Sequence, residues 1–372
     1  MKRFLSPLVM TLTAIFLALG LCAQTLAAQA APPQQEKPRY KGIFEPVSYP
    51  EDILFEDVFF VSEDVGWVSG AAGTILKTTD GGETWTPQLG GDPQSTERRI
   101  SELQFIDSSH GWARRGAALL RTTDGENWEE ANPRFSGHIA AFAFTSPVNG
   151  VYIYGDQIHR TQDGGKTWKQ VFSCALRIQA QGMTQNVRCH FEYLHFPTPQ
   201  VGYALARELG AGLWAVAKTK DGGETWMVWA VEGERGAKDH SAFFLDENTG
   251  YAVLWGAKLH RSTDGGQSWT GVAATVGSKI RFADAEVGWS PYYSNGHHLA
   301  WTTDGGKRWL SRPVALPSAA RIHGFSIPSR QRAYVVGDHG MIYRYRVVPV
   351  EYSVAGGIDA PAMPGRQLAE SK

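Results

Sequence analysis

One motif of eight or nine residues occurs six times in this chain, and a repeat at near-constant spacing constrains architecture before any single residue does. The copies are KTTDGGETW (77–85), RTTDGENW (121–128), RTQDGGKTW (160–168), KTKDGGETW (218–226), RSTDGGQSW (261–269) and WTTDGGKRW (301–309). Their aspartates, Asp80, Asp124, Asp163, Asp221, Asp264 and Asp304, lie 44, 39, 58, 43 and 40 residues apart. The flanks recur as well: an aromatic-rich segment, then Gly-Trp, Gly-Val or Gly-Tyr at 66–67, 111–112, 150–151, 202–203, 250–251 and 288–289, then a short run entering the motif. A seventh unit lacks the motif. Arg332–Gly337 matches the Gly-Trp segment and Met341–Arg344 matches Thr74–Lys77, so the period places the missing aspartate near Val347.

About 40–44 residues accommodate four strands of ordinary length, and no unit shows helical periodicity. Period and strand number predict an all-β, seven-bladed propeller of four-stranded antiparallel blades over 42–352. In the second unit the strands are expected at Leu103–Ile106, Gly111–Arg114, Ala118–Thr122 and Trp128–Glu130, which makes the motif the hairpin between third and outer strands. Its chemistry fits a tight turn. The aspartate accepts backbone N–H bonds, the Gly pair supplies positive φ and the Ser/Thr hydroxyl bonds back across the turn. Trp85, Trp128, Trp168, Trp226, Trp269 and Trp309 then begin the outer strands and bury their rings against the neighbouring blade. One carboxylate per turn is too few for a calcium site. The motifs read as structural. Residues 42–50, which resemble an outer-strand tail, are expected to complete the seventh blade or to pair there with Val347–Tyr352.

Composition supports this and removes other classes. With 41 Gly, 13 Trp and only 20% charged residues, the chain favours short strands and tight turns over helix or disorder. Lys2-Arg3, an apolar run from Phe4 to Leu21 and Ala28-Gln29-Ala30 read as a signal peptide over 1–30. Two alternatives are an uncleaved anchor and lipid attachment at Cys22, although Leu21 is bulky for the latter. Residues 31–41 read as a proline-bearing tether and 353–372 as a disordered tail. The mature chain is expected outside the cytoplasm, in a periplasm, a thylakoid lumen or the medium, and peripheral to a membrane at most. Without the leader 34 basic residues face 37 acidic ones, which argues against nucleic acid. Cys174 and Cys189, the cysteines left in the mature chain, are expected to form a structural disulfide in that setting.

Blade topology assigns the loops to faces. The six aspartate turns share one face, and the long segments 90–101, 173–192, 207–213, 231–240, 290–298 and 313–321 share the other. That second face gathers Arg98, Arg99, Arg114, Arg115, Arg177, Arg188, Arg207, Arg235 and Arg321 with Tyr292, Tyr293, His297 and His298. Converging guanidinium groups bind carboxylate, phosphate or an acidic protein surface. The competing reading is solvated charge paired with Glu97, Glu102, Glu208, Glu232 and Glu234. His297 and His298 alone make no metal site, and no cofactor is expected.

The repeated S/T-x-D-G-G-x-T-W is the Asp-box, or BNR repeat, of sialidases, sortilin-type receptors and some glycoside hydrolases. With the inner Gly-Trp and the leader, the chain over roughly 41–350 most resembles the photosystem II stability/assembly factor family, seven-bladed propellers of the thylakoid lumen or bacterial periplasm. The resemblance implies a non-enzymatic, monomeric scaffold that docks a membrane or secreted client, a photosystem II subunit in a photosynthetic host, through an arginine patch. Arg98, Arg99, Arg114, Arg115, Arg188, Arg207, Arg235, Arg321, Tyr292 and Tyr293 are the candidate contacts. The degenerate seventh motif and the insertion at 173–192 depart from the family pattern. No His-Glu-x-x-His, Gly-x-Ser-x-Gly or phosphate-binding loop is present. The alternatives are a sialidase-like hydrolase, with Arg98, Arg114, Arg207, Tyr292 and Glu208 in catalytic roles, and a glycan- or peptide-binding propeller. The Arg-Ile-Pro segment of sialidases is absent.

Overall fold

A computed structural model describes residues 40–47, 49–131, 140–180, 183–210, 213–232, 241–255, 258–277, 279–294, 297–314 and 321–350. The expected signal peptide and tail, together with 31–39 of the tether, lie outside these residues. Seven four-stranded antiparallel sheets form in sequence order, each one blade of a propeller. Blade 1 illustrates the plan: inner strand Phe55–Phe60, second Gly66–Gly70, third Ile75–Thr78 and outer Thr86–Leu89. In blade 2 the strands are Ile100–Phe105, Gly111–Arg115, Ala118–Thr122 and Glu129–Glu130. The inner strand thus begins three residues earlier than expected from Leu103, because Ile100 is fully buried and already pairs with Arg115.

The recurring Gly-aromatic pair has a single steric cause. A Cβ on Gly66 would stand 2.5 Å from the Phe60 ring of the same blade, and on Gly111 2.3 Å from Phe105. The residue after each glycine reaches the next blade. Trp67 stacks on Phe105 with centroids 3.6 Å apart, Trp112 on Phe144 at 3.8 Å and Tyr203 on Phe244 at 3.5 Å; Tyr334, which follows Ala333 instead of a glycine, stacks on Phe60 at 3.6 Å. The motif tryptophans complete the pattern edge-on, as in Trp85–Phe60 at 6.0 Å and Trp128–Phe105 at 5.7 Å. Each such pair adds about 0.5–1.5 kcal/mol beyond area burial. The core is therefore a set of clusters between successive blades, with Trp67, Ile75, Leu103 and Phe105 in one and Phe55, Phe60, Tyr334 and Ile342 in another.

The turns follow the expected chemistry. Thr84 donates to Asp80 through N–H (3.0 Å) and Oγ1 (2.5 Å), while Thr78 Oγ1 donates to Asp80 and accepts from Gly82 N–H at 2.9 Å. Gly81 and Gly82 have φ of 70° and 79°. Where the hydroxyl is replaced, another donor serves: Asn127 Nδ2 reaches Asp124 at 2.8 Å and Arg308 Nε reaches Asp304 at 3.1 Å.

The seventh motif is missing because no hairpin exists there. Blade 7 consists of Ile322–Ser329, Arg332–Gly337 and Ile342–Pro349, and its outer strand is Tyr40–Val47 from the chain's start. Val347 lies within the third strand opposite Gly42. The closing partner is thus Ile342–Pro349 rather than Val347–Tyr352. Glu45 clasps the join, accepting Arg344 Nε at 2.8 Å and Arg346 Nη2 at 2.9 Å, while Arg344 also bonds Glu83 and the Gly81 carbonyl of blade 1.

Of the long segments 207–213 and 290–298, the described residues are mostly strand, in the pairs Gly202–Gly210 with Leu213–Thr219 and Gly288–Tyr293 with His297–Thr302. The insertion at 173–192 also carries strands in its described residues. It forms a hairpin, Ala175–Ala180 with Met183–Arg188, stapled at its base by the Cys174–Cys189 disulfide.

Two predictions follow from closure and turns. Deleting residues 42–50 abolishes the single cooperative thermal transition; unchanged melting would refute closure by this strand. In Asp221 burial opposes ionisation, but the Thr225 hydroxyl and N–H outweigh it and hold the carboxyl down at about 2, below its ordinary 3.8. Its stabilisation is thus complete above about pH 4 and lost as pH falls towards 2. Asp221→Asn is expected to melt lower at pH 7, with the gap to wild type narrowing between pH 4 and 2; a constant gap contradicts this.

Candidate interaction face and central channel

The inner strands of all seven blades line a central channel of about 980 Å³. Their channel-facing edges have no further strand to pair with, so polar side chains from the preceding blade satisfy them. Asp57 Oδ2 accepts Leu103 N–H at 3.1 Å, and Gln104 bonds both Phe144 N–H and its carbonyl. Ser326 Oγ accepts Phe60 N–H at 3.1 Å. His195 Nδ1 accepts Phe244 N–H at 3.2 Å, and burial together with the positive Arg281 pushes its pKa down to about 3, so the ring is neutral.

One wall of the channel is charged. Arg114 Nε lies 3.4 Å from Glu102 Oε2, and Lys279 Nζ lies 4.0 Å from Asp57 and donates to the His323 carbonyl at 2.7 Å. Glu102 keeps 28% of its side-chain surface towards channel water and is otherwise ringed by protein. Burial raises its carboxyl to about 7; Arg114 opposes the shift, Asp57 reinforces it, and Lys279 and Arg281 oppose it more weakly. Of this group only Arg114 and Glu102 were singled out from sequence, and Glu102 only as a charge partner. Asp57, Lys279 and Arg281 have no shared spacing that marks them.

The surrounding face carries the other candidates, most of them paired. Arg99 Nη1 lies 2.7 Å from Glu56 Oε1, and Arg115 lies 3.4 Å from Glu130 and 4.0 Å from Glu97. Arg188 lies 3.5 Å from Asp156 and stays 80% exposed. Arg98 is exposed and lies against Gly116, and Arg321 is exposed with its N–H on Asp338. Tyr292 OH bonds Ser311 Oγ at 2.6 Å and its ring lies over His298, outside the channel lining. Tyr293 is 66% exposed beside the buried His297. Arg235 and the side chains of Arg207, Glu208, Glu232 and Glu234 lie outside the described residues.

The family model "Photosynthesis system II assembly factor YCF48" matches residues 39–189, which span the closing strand, blades 1 to 3 and the disulfide hairpin. A Synechococcus sp. (strain CC9902) protein, "Photosystem II assembly lipoprotein Ycf48", is 24% identical across 93% of this chain and 98% of its own. The chain is similar to the photosystem II stability/assembly factor family. A second relative, the rice "Photosystem II stability/assembly factor HCF136, chloroplastic", is 24% identical over 83% of each chain. A solved structure described as "YCF48 bound to D1 peptide" has the same fold, with a TM-score of 0.60 at 18% identity, covering 82% of this chain and 94% of that one. These relatives are described as photosystem II stability or assembly factors.

Glu102 yields a prediction. A folded carboxyl that holds its proton more tightly than the unfolded one stabilises most below about pH 4.5, and the benefit disappears as pH rises through 7. The urea midpoint of the wild type is expected to fall between pH 5 and 8, and Glu102→Gln to flatten that fall. Equal slopes would contradict the assignment.

Proposed function

We propose that the protein is a non-catalytic, exported scaffold that holds a photosystem II subunit during assembly, docking it on the face that carries the channel mouth and the arginines. The observation that supports this most is coverage: similarity to photosystem II assembly factors runs over most of this chain and most of theirs. The D1 peptide held by the related propeller makes D1 the first client to test. Arg98, Arg115, Arg188 and Arg321, with exposed Tyr293, offer a cationic and aromatic surface suited to an acidic polypeptide. Arg207 and Arg235 belong to the same proposed face. Export rests on the leader and on relatives described as a lipoprotein and as chloroplastic.

A sialidase-type site needs its arginines and tyrosine around one sugar. Arg114 lines the channel bound to Glu102, whereas Tyr292 is held on blade 6 by Ser311. The scaffold reading is therefore the better supported.

Affinity capture from native membranes is expected to recover a photosystem II subunit, and replacing Arg98, Arg99 and Arg115 with Glu to reduce recovery about tenfold or more. Recovery of no such subunit sinks the client reading; undiminished recovery by the triple variant sinks the arginine contribution. Mass spectrometry of the exported protein, by finding residue 31 or a lipidated Cys22 at its start, decides how it is held.

A further inference from the structure

A propeller exposes the outer edge of each blade, and such edges invite unwanted strand pairing unless blunted. This protein blunts them with ordinary devices. The outer strand of blade 1 contains Pro87, that of blade 2 is two residues long, and that of blade 3 starts at Lys169 and shifts register against its neighbour. Blade 5 has a register shift at the same place, blade 6 ends in Arg312-Pro313, and blade 7 carries Lys41 and Pro46. The outer strand of blade 4, Met227–Glu232, has no such device, but strand Ala175–Ala180 of the disulfide hairpin packs against it.

The second strand of that hairpin, Met183–Arg188, is the exception. It pairs only with Ala175–Ala180 among the described residues, contains no proline, lysine or register shift, and exposes five of its six residues. The Cys174–Cys189 bond holds its register from the base, and the two backbone bonds Cys174 N–H to Asp156 O and Phe191 N–H to Gly155 O tie that base to blade 3. An ordered, covalently stapled and unprotected edge is the arrangement that strand addition uses. The hairpin's own charge is one-sided, with Asp156 of blade 3 lying 3.5 Å from Arg188. Residues 174–189 contain Arg177 and Arg188 and no acidic residue, and both arginines share the solvent-facing side with Thr184 and Asn186, while Leu176 and Ile178 face inward.

We infer that Met183–Arg188 accepts an extended, acidic segment of the client as a third strand of the hairpin sheet. Main-chain bonds to the free edge supply affinity, and a carboxylate of the added strand beside Arg188 fixes its register. This rests on the client reading above.

The test uses the full-length oxidised protein and overlapping synthetic peptides tiling the D1 subunit, with binding measured by calorimetry and amide exchange followed at 183–188. A binding peptide is expected to be acidic and to slow exchange in this strand at least tenfold. Arg188→Ala, which leaves the backbone unaltered, is expected to weaken binding about tenfold. Gln185→Pro and Asn186→Pro are made together as separate variants, because one of the two removes an amide facing away from the hairpin. At least one is expected to abolish binding while keeping the wild-type melting temperature and the disulfide. Peptide binding with unchanged exchange and no loss in any variant overturns strand addition and leaves the client reading intact. Absence of binding by any D1 peptide and by intact D1 overturns both.

Discussion

The structure depends on one contact repeated around the ring: the inner-strand phenylalanine lies flat against an aromatic ring of the preceding blade and edge-on to the motif tryptophan of its own. Phe105 shows it in full, between Trp67 at 3.6 Å and Trp128 at 5.7 Å. A sheet of four short strands cannot bury both faces alone, so blade stability resides between blades. Where the aromatic is absent, the partner changes with it. Blade 3 places Val151 against Gly223, and Trp289 of blade 6 meets Tyr345 edge-on at 4.5 Å. The glycine preceding these residues is a consequence of the same contact, since the phenylalanine occupies the volume of its Cβ.

Most of the fold was legible because it is periodic. The motif fixed the number of hairpins, and the third strand of blade 2, Ala118–Thr122, coincides with expectation. What periodicity missed are places where the period breaks for a physical reason. The seventh turn has no residues to find, because its two strands come from opposite ends of the chain. The insertion read as a loop because Gln179, Thr184 and Asn186 alternate with a side that mixes Leu176, Ile178 and Val187 with polar Gln185 and exposed Met183.

The face was less legible than the fold. Arginines can be counted in a sequence, but whether each is occupied depends on carboxylates brought from other strands, as Glu56 is to Arg99 and Glu130 to Arg115. The channel wall was harder still. Asp57, Glu102 and Lys279 come from three blades and converge only when the ring closes, and hydrophobic patterning marks their strands as inner without marking one polar residue as special.

Closure by the Tyr40–Val47 strand carries a temporal consequence. Glu45 and Arg346 are 301 residues apart, yet bonded. A chain made from its amino end produces the closing strand first and its partner last, so this strand waits with both edges free while six blades form. Its Pro46 and charged Lys41 and Glu45 blunt its edges during that interval, and the long separation gives ring closure a larger loop-closure cost than any hairpin within a blade. Until that step is complete, blades 1 and 7 each keep an open flank, and the molecule is most exposed to proteases and to its own copies.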